Sequence, residues 1–210
     1  MATYSYVNLE LPEAGRYFDL TGIAFDLGQS KDYCEKYVHL MARIASPEPV
    51  PERDFLECIS TLAIVKYGRC FKGGVRRKTE KELSQNIPKD KIEFHQHVLD
   101  VRDKHIAHSV NEFERCRVRV WLNPEEKGRK VNNVNIELHG LIAPGPEFFA
   151  RLSQLIDMHL AWIKAEKKQE SAKLKELVEE RFSLEELYSL RPEAPPPLEM
   201  HRAGKKRKWP

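Results

Sequence analysis

Leu99-Asp100-Val101-Arg102-Asp103-Lys104-His105-Ile106-Ala107-His108-Ser109 is the stretch from which the fold is read. It gathers a guanidinium, two carboxylates, an ammonium and two imidazoles around apolar Leu99, Val101, Ile106 and Ala107. A solvated charge run has no use for those apolar residues. A purely structural core helix would avoid an arginine and histidines near its packed face, because buried charge is costly unless paired. Upstream, Ile92, His95, Leu99, Arg102 and Ile106 are spaced by 3, 4, 3 and 4 residues, the period of a helix. The stretch is therefore predicted to be the C-terminal end of a helix that Pro88 opens, with Arg102 on its apolar face or at the edge of it.

The same period recurs on both sides. Leu20, Ile23, Leu27, Cys34, Val38, Met41 and Ala45 mark a long first helix over 14–45. Pro47, Pro49 and Pro51 break it. Phe55, Ile59, Leu62, Ala63, Tyr67 and Cys70 mark a second helix over 51–71, which Gly73-Gly74 stops. The basic segment Lys66–Lys81 follows, with a short helix over 80–84, and its run from Arg76 to Lys81 reads as a solvated loop. The focal helix is third.

After it the period becomes two. Arg115–Leu122 and Val134–Leu138 alternate around Asn123-Pro124 and Gly128, which predicts a β-hairpin over about 115–140 with one apolar face. Arg115, Arg117 and Arg119 fall on the opposite face. Phe149, Leu152, Ile156, His159 and Ile163 mark a fourth helix opened by Gly145-Pro146. Its charged extension, 166–180, is expected to be solvated. Ser183-Leu184-Glu185-Glu186 has the capping-box pattern of a last short helix. Pro195-Pro196-Pro197 and Lys205–Lys208 mark 191–210 as a Pro-rich basic tail, expected to be disordered. The expected architecture is mainly α: an antiparallel four-helix bundle over 1–190, with the hairpin inserted before the last long helix.

Composition narrows the function. The chain has 210 residues, 32% of them charged and 41% hydrophobic. No apolar run approaches the roughly 18 residues of a membrane span. The first residues lack the basic and apolar regions of a secretory signal. Four scattered cysteines without a C-x-x-C pair suit a reducing cytoplasm. No membrane partner is therefore expected. From Pro192 onward, Arg202, Lys205, Lys206, Arg207 and Lys208 outnumber Glu193 and Glu199 by three, which is the whole net charge of +3. Any anion-binding surface on the body must then be local, and Lys66–Lys81 is the candidate. His105 and His108 lie three residues apart but have no obvious further ligand partner, so no metal site is expected.

Arg102, followed by polar Asp103 and, after five intervening residues in all, by His108, resembles the signature of HEPN-domain proteins: an Arg, commonly followed by a polar residue, and a His after four to six intervening residues. The variant Arg102–Ser109, with Tyr67-Gly68-Arg69-Cys70-Phe71, looks most like the abortive-infection branch, which has uncharacterised bacterial members. The resemblance implies a small all-α bundle, often dimeric, in a family where many members are metal-independent ribonucleases serving as toxins or phage-defence effectors. It makes His108 the candidate acid/base, Arg102 the phosphate clamp and Asp103 the group that orients one of them. His105, closer in angle to Arg102, is a rival acid/base. Arg69, Arg76, Arg77 and Lys78 become candidate RNA contacts. The implied partners are RNA, a second copy and an antitoxin protein, with no cofactor. The alternative is a non-catalytic HEPN-like module that binds a partner protein or nucleic acid.

The residue types suit the chemistry. Cleaving RNA at its own 2′-hydroxyl needs a group that moves a proton near neutral pH, and histidine titrates there. It also needs donors for charge on the phosphorane oxygens, which an arginine fork supplies. On an ideal helix, however, Arg102 and His108 lie about 120° apart and about 9 Å along the axis. Their convergence requires a distorted helix end or a second copy.

Overall fold

Leu20, Ile23, Leu27 and Cys34 are fully buried, and their spacing winds Gly15–Ile44 into one continuous helix, α1. The computed structural model describes residues 6–44, 53–71, 76–106, 114–124, 126, 128, 130–140 and 144–190. Helix α2 is Arg53–Gly68, α3 is Arg77–Gln85 and α4 is Ile92–Val101, continued by a π-helical turn over Arg102–Ile106. Strands β1 (Glu114–Leu122) and β2 (Val131–Gly140) follow, then α5 (Pro146–Arg181) and α6 (Leu184–Ser189). The chain is mainly helical with one small antiparallel sheet. No described helix is long and apolar enough to cross a membrane.

The chain packs as two compact units. One is built from the chain up to Leu27, Arg69–Ile87 and the chain from Asp157; the other from Gly28–Gly68 and Pro88–Ile156. The core of the first holds Ala14, Leu20, Ile23, Leu27, Cys70, Leu83 and Ile163. Arg16 on α1 ties it together, donating to Glu82 on α3 at 2.8 Å and to Glu166 and Glu170 on α5 at 2.6 and 3.0 Å. The core of the second gathers Tyr37, Ile59, Ala63, Ile64 and Tyr67 with Phe94, Val98, Leu99, Phe149 and Leu152. In it the Ser30 hydroxyl donates to the Ala63 carbonyl at 2.6 Å, and the Tyr37 hydroxyl to the Pro144 carbonyl at 2.9 Å.

Several expectations are corrected. The second helix ends at Gly68, before the turn at 69–71 and three residues short of the expected end at 71, while Gly73-Gly74 lies outside the described residues. The run from Arg76 to Lys81 is no solvated loop. It opens α3, whose Thr79, Glu80 and Leu83 are buried, and the focal helix is thereby fourth in order. The charged extension of α5 is helical but not merely solvated, because Glu170 is buried on Arg16. The capping box at Ser183 is present, with the Ser183 side chain accepting from the Glu186 N–H at 3.2 Å. The 191–210 tail lies outside the described residues.

The hairpin forms where the alternation places it, and both strands are slightly longer than their apolar patterns. Val118 pairs with Ile136 and Val120 with Val134, and the register slips between Trp121 and Leu122. Gly128, at φ +69°, holds the left-handed turn conformation that glycine adopts without strain. The hairpin's apolar face is not packed into the body: Val118 and Ile136 are 68% and 76% exposed.

Candidate functional site

Arg102 stands where α4 stops being a regular α-helix. Its own N–H still reaches back to the carbonyls of Val98 and Leu99, and from there the backbone opens into the π-helical turn. Such turns bond i to i+5, widen the helix and are frequent at functional sites. The angular arithmetic of an ideal helix therefore no longer applies from Arg102 onward.

The neighbouring helix shapes the arginine. A Cβ on Gly68 would lie 3.1 Å from Arg102 Cγ and 3.2 Å from Cδ, so the aliphatic stem crosses the α2 backbone where there is no side chain. One residue earlier, the Tyr67 hydroxyl and His95 Nδ1 share a hydrogen bond of 2.7 Å inside the core. Both side chains are buried, and the rings meet edge to face. A buried polar pair of this kind is held to one geometry, since breaking it costs a hydrogen bond that no water replaces. It fixes the register of α2 against α4, and with it the seat of Arg102 on Gly68.

The guanidinium is half-buried at 30% exposure, and its Nη1 donates to Asp103 Oδ1 at 2.7 Å. No other described side chain accepts from it. One edge of the fork is held, leaving other N–H groups to meet an anion. Asp100 is occupied next door, accepting from Gln96 at 3.2 Å and pairing with Lys104 at 3.3 Å. The arrangement brings Arg102 and Asp103 together. The backbone of His105 lies within the π-helical turn, while His108 falls outside the described residues.

The candidate RNA contacts divide. Arg76, largely buried, donates to Asp26 at 3.2 Å and lies against Gly22, while Arg69, half-exposed, is 3.8 Å from the same carboxylate. Asp26 is itself buried, so much of the charge of this pair is spent internally. Lys78 is exposed on α3, and Arg77 begins that helix. The sequence signal for Asp26 was its place among the apolar positions of α1, which hid its role as an acceptor.

Elsewhere in the second unit, α1 and α5 border an open groove of about 550 Å³. Cys34, Val38 and Phe149 line it together with polar Glu35, His39 and Gln154. It contains none of the motif residues. The thiols of Cys34 and Cys70 are buried, and burial pushes each up to about 12, which keeps them protonated and inert. Among the described residues, no group of three or more His, Cys, Asp or Glu is placed to hold a metal ion. No protein-family model, curated protein or solved structure matches the chain.

Proposed function

We propose that the chain is an HEPN-type endoribonuclease, a toxin or phage-defence effector, that cleaves RNA by attack of the 2′-hydroxyl on the adjacent phosphorus. In this reading α1, α2, α4 and α5 are the four antiparallel helices of the HEPN bundle. The observation that carries it is the seat of Arg102: a half-buried guanidinium on a π-helical turn, its stem laid over Gly68 and one edge held by Asp103. A fork fixed in this way before substrate arrives is preorganised for charge that develops on the phosphorane oxygens.

His108 moves the proton. As base it takes the 2′-hydroxyl proton, and as acid it returns one to the departing 5′-oxygen, leaving a 2′,3′-cyclic phosphate and a 5′-hydroxyl. His105 is the rival for that role. The RNA supplies its own nucleophile, so the residues named suffice for the reaction. A symmetric dimer supplies Arg102 of one copy to His108 of the other, and an antitoxin protein restrains the active form.

The test is incubation of purified protein with total RNA in EDTA, beside Arg102→Ala and His108→Ala. Wild type should release 2′,3′-cyclic phosphate ends, and each variant should lose about 10²–10⁴-fold in rate. Equal behaviour of all three rejects catalysis. The second reading, a binding module without catalysis, draws support from the internal pairing of Arg102 with Asp103 and of Arg76 with Asp26. Binding of RNA or of a protein partner without cleavage, unchanged in His108→Ala, selects it.

A further inference from the structure

The hairpin has two faces, and the polar one gathers groups that the fold does not consume. Arg117, Arg119 and Trp121 on β1 stand opposite Glu137, Asn135 and Asn133 on β2, so the six share that face in three cross-strand rows. All but Glu137 are exposed, and half of Trp121 is open to solvent. Arg119 is clasped by Glu137 through both carboxylate oxygens, at 2.6 and 2.7 Å, and both bonds leave from Nη2. Its Nε and Nη1 meet no acceptor among the described residues, and its guanidinium carbon stands 6.0 Å from the centre of the Trp121 ring. Arg117 faces Glu137 in the register, yet it forms no ion pair or side-chain hydrogen bond among the described residues. Asn133 is committed: its Oδ1 accepts from the Val134 N–H at 2.9 Å, and its Nδ2 donates to Asn135 Oδ1 at 3.2 Å. The Asn135 amide nitrogen keeps its donors unspent.

These groups fit one kind of ligand. An exposed indole offers a flat surface to stack on, and a nucleobase has a face to give only when it is unstacked, which selects a single strand over a duplex. A guanidinium such as that of Arg117 suits a backbone phosphate. Asn135 offers donors to a base edge or a ribose hydroxyl. Two guanidiniums against one carboxylate leave the face net positive, which a polyanion matches. The other face offers none of this, since Val118, Val120, Val134 and Ile136 carry neither charge nor donor.

We propose that the polar face of the hairpin binds single-stranded RNA, with a base stacked on Trp121 beside Arg119 and a neighbouring phosphate on Arg117. Successive residues of one strand face lie about 7 Å apart, so the three rows run about 14 Å and take two or three nucleotides. The clasp of Glu137 holds Arg119 beside the ring before RNA arrives, so little side-chain freedom is lost on stacking. The choice of RNA as the strand rests on the ribonuclease reading; the binding face does not.

Binding is separated from cleavage by a fluorescein-labelled 2′-O-methyl oligouridine about 12 nucleotides long, which carries no 2′-hydroxyl to attack its own phosphates. Fluorescence anisotropy with the full wild-type chain should show saturable binding below about 100 µM, weakening as salt rises. Trp121→Ala should weaken it at least tenfold, and Trp121→Phe less, because a phenyl ring still stacks. Arg117→Ala should weaken it and reduce the salt slope by about 0.7. Ile136→Ser, on the apolar face, should bind as wild type does. Superimposable circular dichroism melting curves show that the variants are folded. A wild type that does not bind the strand, or that binds a duplex of equal length more tightly, overturns the proposal. So does a folded Trp121→Ala variant that binds like wild type, or an Ile136→Ser variant that loses as much as Trp121→Ala. Cleavage of unmodified RNA is scored separately. Cleavage together with binding that ignores Trp121 removes this face and keeps the ribonuclease, and Trp121-dependent binding without cleavage does the reverse.

Discussion

A single missing side chain governs the candidate site. Gly68→Ala places a Cβ about three ångströms from the Arg102 stem, near its rigid end, so the arginine must give by a few tenths of an ångström. Alanine is also the better helix former by up to about 1 kcal/mol, which offsets the crowding. The variant should therefore keep its stability within about 1 kcal/mol while losing about tenfold in RNA cleavage, because displaced catalytic groups lose rate steeply. Urea unfolding and a cleavage assay on the same preparation check this. Tyr67→Phe acts oppositely. It leaves the buried His95 Nδ1 without its hydroxyl partner, and the expected cost is about 1–3 kcal/mol by urea unfolding. The Arg/His spacing was legible in the sequence. The roles of Gly68 and Tyr67 were not, since a glycine inside an expected helix gives no sign of the side chain that crosses it and a tyrosine in an apolar stripe reads as core.

At the scale of elements, legibility followed the number of apolar residues. α1, α2 and α5 announce themselves through repeated buried positions, and the hairpin through its alternation. α3 was legible only in part, as a short helix over 80–84 behind a basic run, because in Arg77–Gln85 Leu83 is the one large apolar residue, set among charges. Its helix is held by tertiary contacts instead: Leu83 is fully buried, Thr79 and Glu80 are nearly so, and Glu82 reaches Arg16. Leu83→Ala should accordingly cost about 2–5 kcal/mol, a large effect from one residue in a segment that reads as polar. A fall in the urea midpoint measures it, and a change within about 0.5 kcal/mol would show that α3 packs less closely than its burial indicates. The π-helical turn was equally hidden. Only the failure of Arg102 and His108 to converge on an ideal helix pointed to a distortion there.

At the scale of the molecule, the division into two units was not legible, since α1 and α5 each run through both without a break in pattern. The charged extension of α5 concealed the clasp of the first unit. Glu170 has its carboxyl held below the ordinary glutamate range, chiefly by a hydrogen bond from Lys173, with Arg16 adding to it against the opposing effect of burial. Burial alone would lower Arg16, but its hydrogen bonds to Glu166 and Glu82 overcome that and keep it charged. A carboxylate whose folded value is depressed contributes stability that is fully present above its unfolded value, about 4.3, and is lost as the pH falls through the folded value. Glu170→Gln keeps the size of the side chain and removes the titration. At about pH 7 wild type should be the more stable of the two. The difference should begin to shrink near pH 4.3 and vanish once the pH is below the folded value, where both side chains are neutral. Urea midpoints of both proteins at about pH 7, 4 and 2.5 follow that convergence. A difference that stays constant across the range would mean that Glu170 is not ionised against Arg16 and Lys173, and that the clasp holds by packing alone.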